Sequence, residues 1–311
     1  GVVMMILFTC IISSFVVENS ARAILLREKM QPEEPAKAGD DEKILLPLQH
    51  AETADALVHL AILMRNKKLN RGLIGLNVVY DDIYSGRMQT QSRLAINIAN
   101  GIKHAFKEND ASEIIMGMHR RTDPTDSFWG AYTQGLIAEI NRQIMICRIV
   151  RPLSTIRRIQ VAVPSRVEFE PGFYRWTERL SRLAGNLGCR IVFHGRQDTM
   201  ALINEYIQNR HPEVRAEYSV MSHWKELTQL SREVNADHLF VVVTARQGTV
   251  SYKPAFERLP EELTASFPDC SLMLIYPDQN GQPQDVMTFT APQRQEQESA
   301  YASLMKILKR R

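Results

Sequence analysis

Short apolar runs alternate with segments of helical periodicity from residue 43 to residue 277, and few architectures accommodate that alternation. KILLPL reads as a strand and ETADALVHLAILMRN as a helix, with Ala54, Leu57, Val58, Ala61, Ile62 and Met64 along a broad apolar side. GLIGLNVVY follows as a buried strand, RMQTQS as a polar edge strand, LAINIANGIKHAFKE as a helix and EIIMGM as a strand. GAYTQGLIAEINR and QIMICRI close the series as helix and strand. Near-continuous apolar strands interleaved with helices imply a parallel sheet covered on both faces.

The pattern then starts again after RPLSTI. RRIQVAVP, CRIVFHG, RAEYSV, DHLFVVVTA and CSLMLIYP read as strands, and GFYRWTERLSRLAGNLG, TMALINEYIQNR, HWKELTQLSREVN and RLPEELTASF as helices. This is an internal repeat of pattern with little residue identity. The copies differ at one place. A full helix separates the second and third strands of the second copy, whereas DDIYSG, residues 81–86, fills that place in the first. Either the first copy lacks a crossover helix or residues are missing there, because parallel strands need a crossover of about a dozen residues.

At 311 residues the chain is long enough for two domains with their own cores. Lys and Arg number 38 against 35 Asp and Glu, a net charge of +3 that gives no bulk attraction to nucleic acid. Cys10, Cys147, Cys189 and Cys270 are widely spaced without neighbouring histidines, so they read as buried thiols of a reducing compartment and not as a disulfide framework or a metal site. No Walker-type loop, metal cluster or serine, histidine and acid arrangement is visible, and no enzymatic activity is expected.

The ends differ from this middle. Residues 2–17 are apolar apart from Thr9, Ser13 and Ser14, and Arg22, Arg27 and Lys29 come after them. That order fits the last part of a transmembrane helix emerging at the cytoplasmic side, the other reading being an ordinary buried helix. Residues 1–29 are therefore expected to be membrane and juxtamembrane segment, and residues 30–42, with QPEEPAKAGD, a solvated linker. Residues 43–152 and 153–279 are the two expected domains. Residues 280–311 form a tail with Tyr301, Leu304, Met305 and Leu308 at helical spacing beside Lys306, Lys309, Arg310 and Arg311. Such a helix either docks on its own domain or lies on an anionic membrane face.

EIIMGMHRRTDPTDSFWGAY, residues 113–132, has the outline of a phosphate cradle: Gly117 ends a strand and Gly130 opens a helix, where backbone N–H groups receive anions. With Gly117, Arg120, Gly130 and Ala131 at this spacing, the chain resembles the universal stress proteins, whose ATP-binding members carry glycine, two residues, glycine, nine residues, glycine and then serine or threonine. Arg120 stands at the second glycine and Ala131 at the hydroxyl residue. The family's nucleotide-contacting aspartate is Gln49 here and Pro164 in the second copy, and the second copy's TARQGTVSY keeps only Gly248. An arginine side chain would fill the space that glycine leaves to a phosphate. His119, Arg120 and Arg121 could instead hold a phosphate by charge, and the alternative is a solvated loop or interdomain contact.

The resemblance implies an α/β fold of two tandem doubly wound, mostly parallel-sheet domains, universal stress protein-like and adenine nucleotide alpha hydrolase-like. It implies a ligand site at Gln49, Gly117, His119, Arg120, Arg121, Gly130 and Ala131, for an adenine nucleotide or cyclic di-AMP. Taken with both ends, the chain resembles the cytoplasmic regulatory tail of a bacterial monovalent cation:proton antiporter of the sodium–proton or potassium-efflux kind. That resemblance implies a multi-pass inner-membrane protein whose own upstream transporter domain is the tail's partner. It also implies an intramolecular pseudo-dimer through QIMICRI and CSLMLIYP, a homodimer of the full protein, and no nucleic-acid partner. The competing reading is a membrane-anchored stress protein binding ATP or AMP.

Overall fold

The computed structural model describes residues 42–48, 51–66, 72–77, 89–92, 98–118, 130–221, 223–230, 233–267 and 269–280, all within one unit of the chain. Strands β1 (Ile44–Leu48), β2 (Leu73–Asn77), β3 (Gln89–Ser92), β4 (Glu113–Gly117) and β5 (Gln143–Arg148) come from its first part. With them go helices α1 (Ala51–Met64), α2 (Ile98–Glu108) and α3 (Gly130–Glu139). The second part supplies β6 (Arg158–Ala162), α4 (Phe173–Leu187), β7 (Arg190–Gly195), α5 (Gln197–Arg210) and β8 (Ala216–Val220). It ends with α6 (Leu227–Leu230), β9 (His238–Val243), α7 (Leu259–Ser266) and β10 (Ser271–Tyr276).

The ten strands form one sheet in the order β3-β2-β1-β4-β5-β10-β9-β6-β7-β8. Read inward from either edge, the connectivity is the same. Neighbours are parallel everywhere except at the centre, where β5 and β10 run antiparallel with Ile146 opposite Leu274. Side chains alternate across the strands and feed two core layers. Ile44, Leu46, Met273 and Ile275 face a layer with Leu57, Leu60 and Met64 of α1 and Trp176, Leu180 and Leu183 of α4. Leu45, Ile146, Leu272 and Leu274 face the other, with Ile102 and Phe106 of α2, Leu136 of α3, and Leu259 and Leu263 of α7. Burial on both faces is why β9 and β10 are buried at every position.

Local signals fix several boundaries. Gly188 adopts φ 64° and closes α4, and the Cys189 N–H bonds back to the Ala184 carbonyl, as a left-handed helix end requires. The helix expected over residues 223–235 is a correction: a 3-10 turn over Trp224–Glu226 leads into the single turn α6. Trp224, Leu227 and Leu230 recur every third residue, a spacing that matches three residues per turn better than 3.6. Glu42, assigned to the linker by composition, is 6% exposed and ion-paired, so the folded body begins one residue earlier than expected. Residues 1–29, the rest of the linker, residues 78–88 where the crossover irregularity falls, and the basic tail lie outside the described residues. Among the described residues no helix is long and apolar enough to cross a membrane.

Candidate functional site

Ligand sites of open parallel sheets lie beyond the carboxyl ends of the strands. In the first half those ends are Leu48 of β1 and Gly117 of β4. Gly130 is the first residue of α3 and Ala131 the second, so the described parts of this segment run from strand to helix. A Cβ at Gly117 would meet Leu57 Cδ1 at 3.6 Å and Thr53 Oγ1 at 3.8 Å, ordinary contacts, so packing alone does not demand glycine there. Gln49, His119, Arg120 and Arg121 lie outside the described residues.

The second half shows what can be built at the corresponding place. Gly117 pairs with Cys147, and Val243 pairs with Ile275; the next N–H in each case, of Met118 or Thr244, bonds to the same partner's carbonyl. Counting on from these pairs, Arg246 holds the position that Arg120 has in the first half. Its guanidinium is almost enclosed, at 7% exposure. Nε donates to the Ile137 carbonyl at 3.1 Å, Nη2 to those of Ile140 at 2.9 Å and Arg142 at 2.6 Å, and Nη1 to that of Pro277. Burial pushes its pKa down to about 10, which leaves the cation intact at neutral pH.

These acceptors are carbonyls at and just beyond the C-terminus of α3, where a helix leaves its carbonyls unpaired and favours positive charge. Arg148 at the end of β5 acts likewise on the opposite half, Nη2 donating to the carbonyls of Phe267 and Cys270 just beyond α7. The loop after Arg246 is also tied down: Glu170 accepts from Ser251 N at 3.0 Å, Ser251 Oγ at 2.6 Å and Gln279 Nε2 at 2.8 Å.

A second charged constellation joins the halves on the face of α1 and α4. Arg179, 2% exposed, donates through Nε to Glu113 at 2.8 Å and pairs through Nη1 with Glu42 at 2.6 Å. Gln143 Nε2 supplies Glu113 with a further bond at 2.9 Å. Arg182 bridges Glu42 and Glu178 at 2.6 Å each, and Glu178 accepts from Tyr206 at 2.5 Å and His211 Nε2 at 2.7 Å. Burial alone would raise the Glu42 pKa, but Arg179 and Arg182 outweigh it and hold the carboxyl below its ordinary value. Glu178 goes further, to about 2, its burial being overcome chiefly by the hydrogen bonds from His211 and Tyr206. The same contact raises His211 above the usual imidazole value.

The arrangement is suited to holding charge at a joint. Burial raises the thiols of Cys147 and Cys189, the latter to about 11, and so suppresses thiolate. Among the described residues no group of His, Cys, Asp and Glu is placed to hold a metal ion.

None of the arginine clamps was singled out by sequence. Arg179 left a faint signal, since it follows Trp176 by three residues and so lies on the buried face of α4. Arg246 left none, because its acceptors are backbone carbonyls remote in sequence.

No family profile and no curated protein matches the sequence. Solved structures do. The cytoplasmic domain of a prokaryotic cation chloride cotransporter matches with a TM-score of 0.55 at 8% identity, over 78% of this chain and 98% of that one. A universal stress protein from Archaeoglobus fulgidus DSM 4304 matches with a TM-score of 0.47 at 11% identity, over 78% and 99%. A protein of unknown function from Pseudomonas aeruginosa PAO1 gives 0.49 at 12%, over 81% and 96%. The α/β fold with its mostly parallel sheet is thus shared with known proteins.

Proposed function

We propose that this chain is the regulatory region of a membrane cation:proton antiporter, built from two tandem universal stress protein-like units that bias exchange of sodium or potassium for protons. The observation that carries the reading is the fold shared with the cytoplasmic domain of a cation chloride cotransporter. Two further features support it. Residues 2–17 offer an apolar segment for a membrane, and the short linker after it reaches the body at Glu42. Glu42 is gripped by Arg179 and Arg182 of α4, so strain at the joint between the halves is felt where the linker begins. A ligand or partner that prefers one arrangement of the joint then shifts the attached transporter by its difference in affinity.

In this reading the partners are the upstream transporter domain and a second copy of the full protein, at the inner membrane. The test is cation-driven proton movement in everted vesicles from a host lacking its own antiporters, carrying the uninterrupted gene or the gene stopped before residue 42. Sodium- or potassium-dependent flux whose pH profile changes on truncation is the expected result. Absence of cation-dependent flux would sink the proposal.

The glycine at the end of β4 and the glycine opening α3 keep a second reading in view, an adenine nucleotide or cyclic di-AMP held at that loop. ATP, AMP or cyclic di-AMP at 100 times its dissociation constant should then add about 2.7 kcal/mol of stability. Arg120→Ala should remove the shift.

A further inference from the structure

We propose a binding site for a small soluble phosphate compound at the carboxyl ends of β9, β6 and β7, formed by Ser165, Arg166, Arg196 and Lys253, separate from the Gly117 to Gly130 segment and in the other half of the sheet. The three strands are consecutive neighbours, and the segment leaving each carboxyl end carries a cation at the start of its next helical turn. Arg166 precedes the 3-10 turn Val167–Phe169, Arg196 is the N-cap of α5, and Lys253 precedes the 3-10 turn Pro254–Glu257. Gly195 brings two of these ends together, since a Cβ there would fall 2.8 Å from Met200 Cε and 3.1 Å from the Val163 carbonyl.

The charges are not balanced within the described protein. Lys253 Nζ donates to Ser165 Oγ at 2.9 Å, and among the described residues no carboxylate forms an ion pair with Lys253, Arg166 or Arg196. Burial, and then the neighbouring Arg196 and Arg166, hold the Lys253 ammonium below its ordinary pKa. Three cations that repel one another raise the energy of the empty site, and a dianion placed among them offsets that repulsion.

Arg166 is also held at φ 69°, a left-handed conformation that costs a non-glycine residue energy and is found where function requires it. The first N–H groups of α5 open toward the same end of the sheet. Beside the cations runs a groove of about 370 Å³ lined by Arg166, Arg196, Phe169, Tyr174 and Leu202, which gives an organic part of the ligand an apolar wall. Two carboxylates share the groove: Glu168 accepts from Thr199 Oγ1 at 2.9 Å, and Asp198 is exposed in the first turn of α5. The balance of three cations against two carboxylates favours an anionic ligand.

The experiment is calorimetric titration of the full chain with inorganic phosphate, pyrophosphate and AMP, with adenosine as control. Pyrophosphate and AMP should bind and adenosine should not. Lys253→Met and Arg196→Gln should each weaken binding about tenfold, and Arg120→Ala should leave it unchanged. Arg166→Gly should weaken binding yet raise the melting temperature, because glycine relieves the left-handed strain; a merely structural arginine would not give opposite signs. The proposal is overturned if no phosphate compound binds, or if Arg120→Ala abolishes binding that Lys253→Met leaves intact, which would place the ligand in the other half. Competition of phosphatidylglycerol vesicles with pyrophosphate would overturn the assignment to a soluble ligand.

Discussion

Arg246 and Arg148 each close the C-terminal end of a helix in the opposite half, and they reach it from positions that the repeated strand order does not equate. Arg246 follows β9 and binds carbonyls of Ile137, Ile140 and Arg142, with Pro277 in addition. Arg148 ends β5 and binds those of Phe267 and Cys270. By register the counterpart of Arg246 is Arg120, and the counterpart of Arg148 is Tyr276, whose ring lies 5.8 Å from the Arg246 guanidinium. The carbonyls that symmetry assigns to Arg120 are therefore already met by Arg148. A repeated backbone fixes which carbonyls need partners; it does not fix which side chain supplies them.

Arg179, which has no such mirrored partner among the described clamps, should give the largest effect of any substitution at the joint. Arg179→Met strands Glu113 and Glu42 in a site closed to water, and a loss of about 3–5 kcal/mol in urea unfolding is expected. Adding Glu113→Gln should recover part of that loss. A loss below about 1 kcal/mol for the single change would mean that water reaches the joint and that the two faces are not held by comparable devices.

Next come the mirrored arginines. Arg246→Met removes bonds to four carbonyls, and Arg148→Met removes bonds to two. About 2–3 kcal/mol is expected for the first and about half of that for the second, since bonds to charged donors contribute most when their acceptors are buried. Amide exchange should quicken at the C-terminus of α3 in one variant and of α7 in the other. Equal losses, or exchange at the same helix in both, would break the comparison between the halves.

The smallest effect is a pH dependence at the outer end of the network. His211 has a raised folded pKa, so its contribution is complete below the ordinary imidazole value and fades as pH rises through the raised one. Glu178 has a depressed folded pKa, so its contribution is present above the ordinary carboxylate value and fades as pH falls toward about 2. His211→Gln should flatten the stability profile above about pH 6.5, by less than about 1 kcal/mol, and leave the acid limb sloping. A profile unchanged by that substitution would confine the network to Arg179, Glu42 and Glu113.

Much of the fold was legible because its signals are local. LIGLN, EIIMG, HLFVVV and SLMLIY are apolar at consecutive positions since both faces are covered, and α4 ends at a glycine. The turn around Trp224 was misread because an apolar residue every third position resembles one edge of an α-helical stripe. Of the candidate site, only Gly117, Gly130 and Ala131 fall on described residues, at the strand end and helix start where their spacing put them. The buried arginines were not legible, for the sequence of a carbonyl acceptor can be anything.

The sequence by itself determined the alternation of strands and helices, and hence a sheet with both faces covered, since hydrophobic periodicity acts within a few residues of chain. Only the tertiary structure decided that Arg179 and Arg246 are buried while Arg166 and Arg196 stand exposed at strand ends. The antiparallel join of β5 and β10 brings distant segments into register, and the cost of desolvating a guanidinium is met only where carboxylates or carbonyls from those segments converge on it.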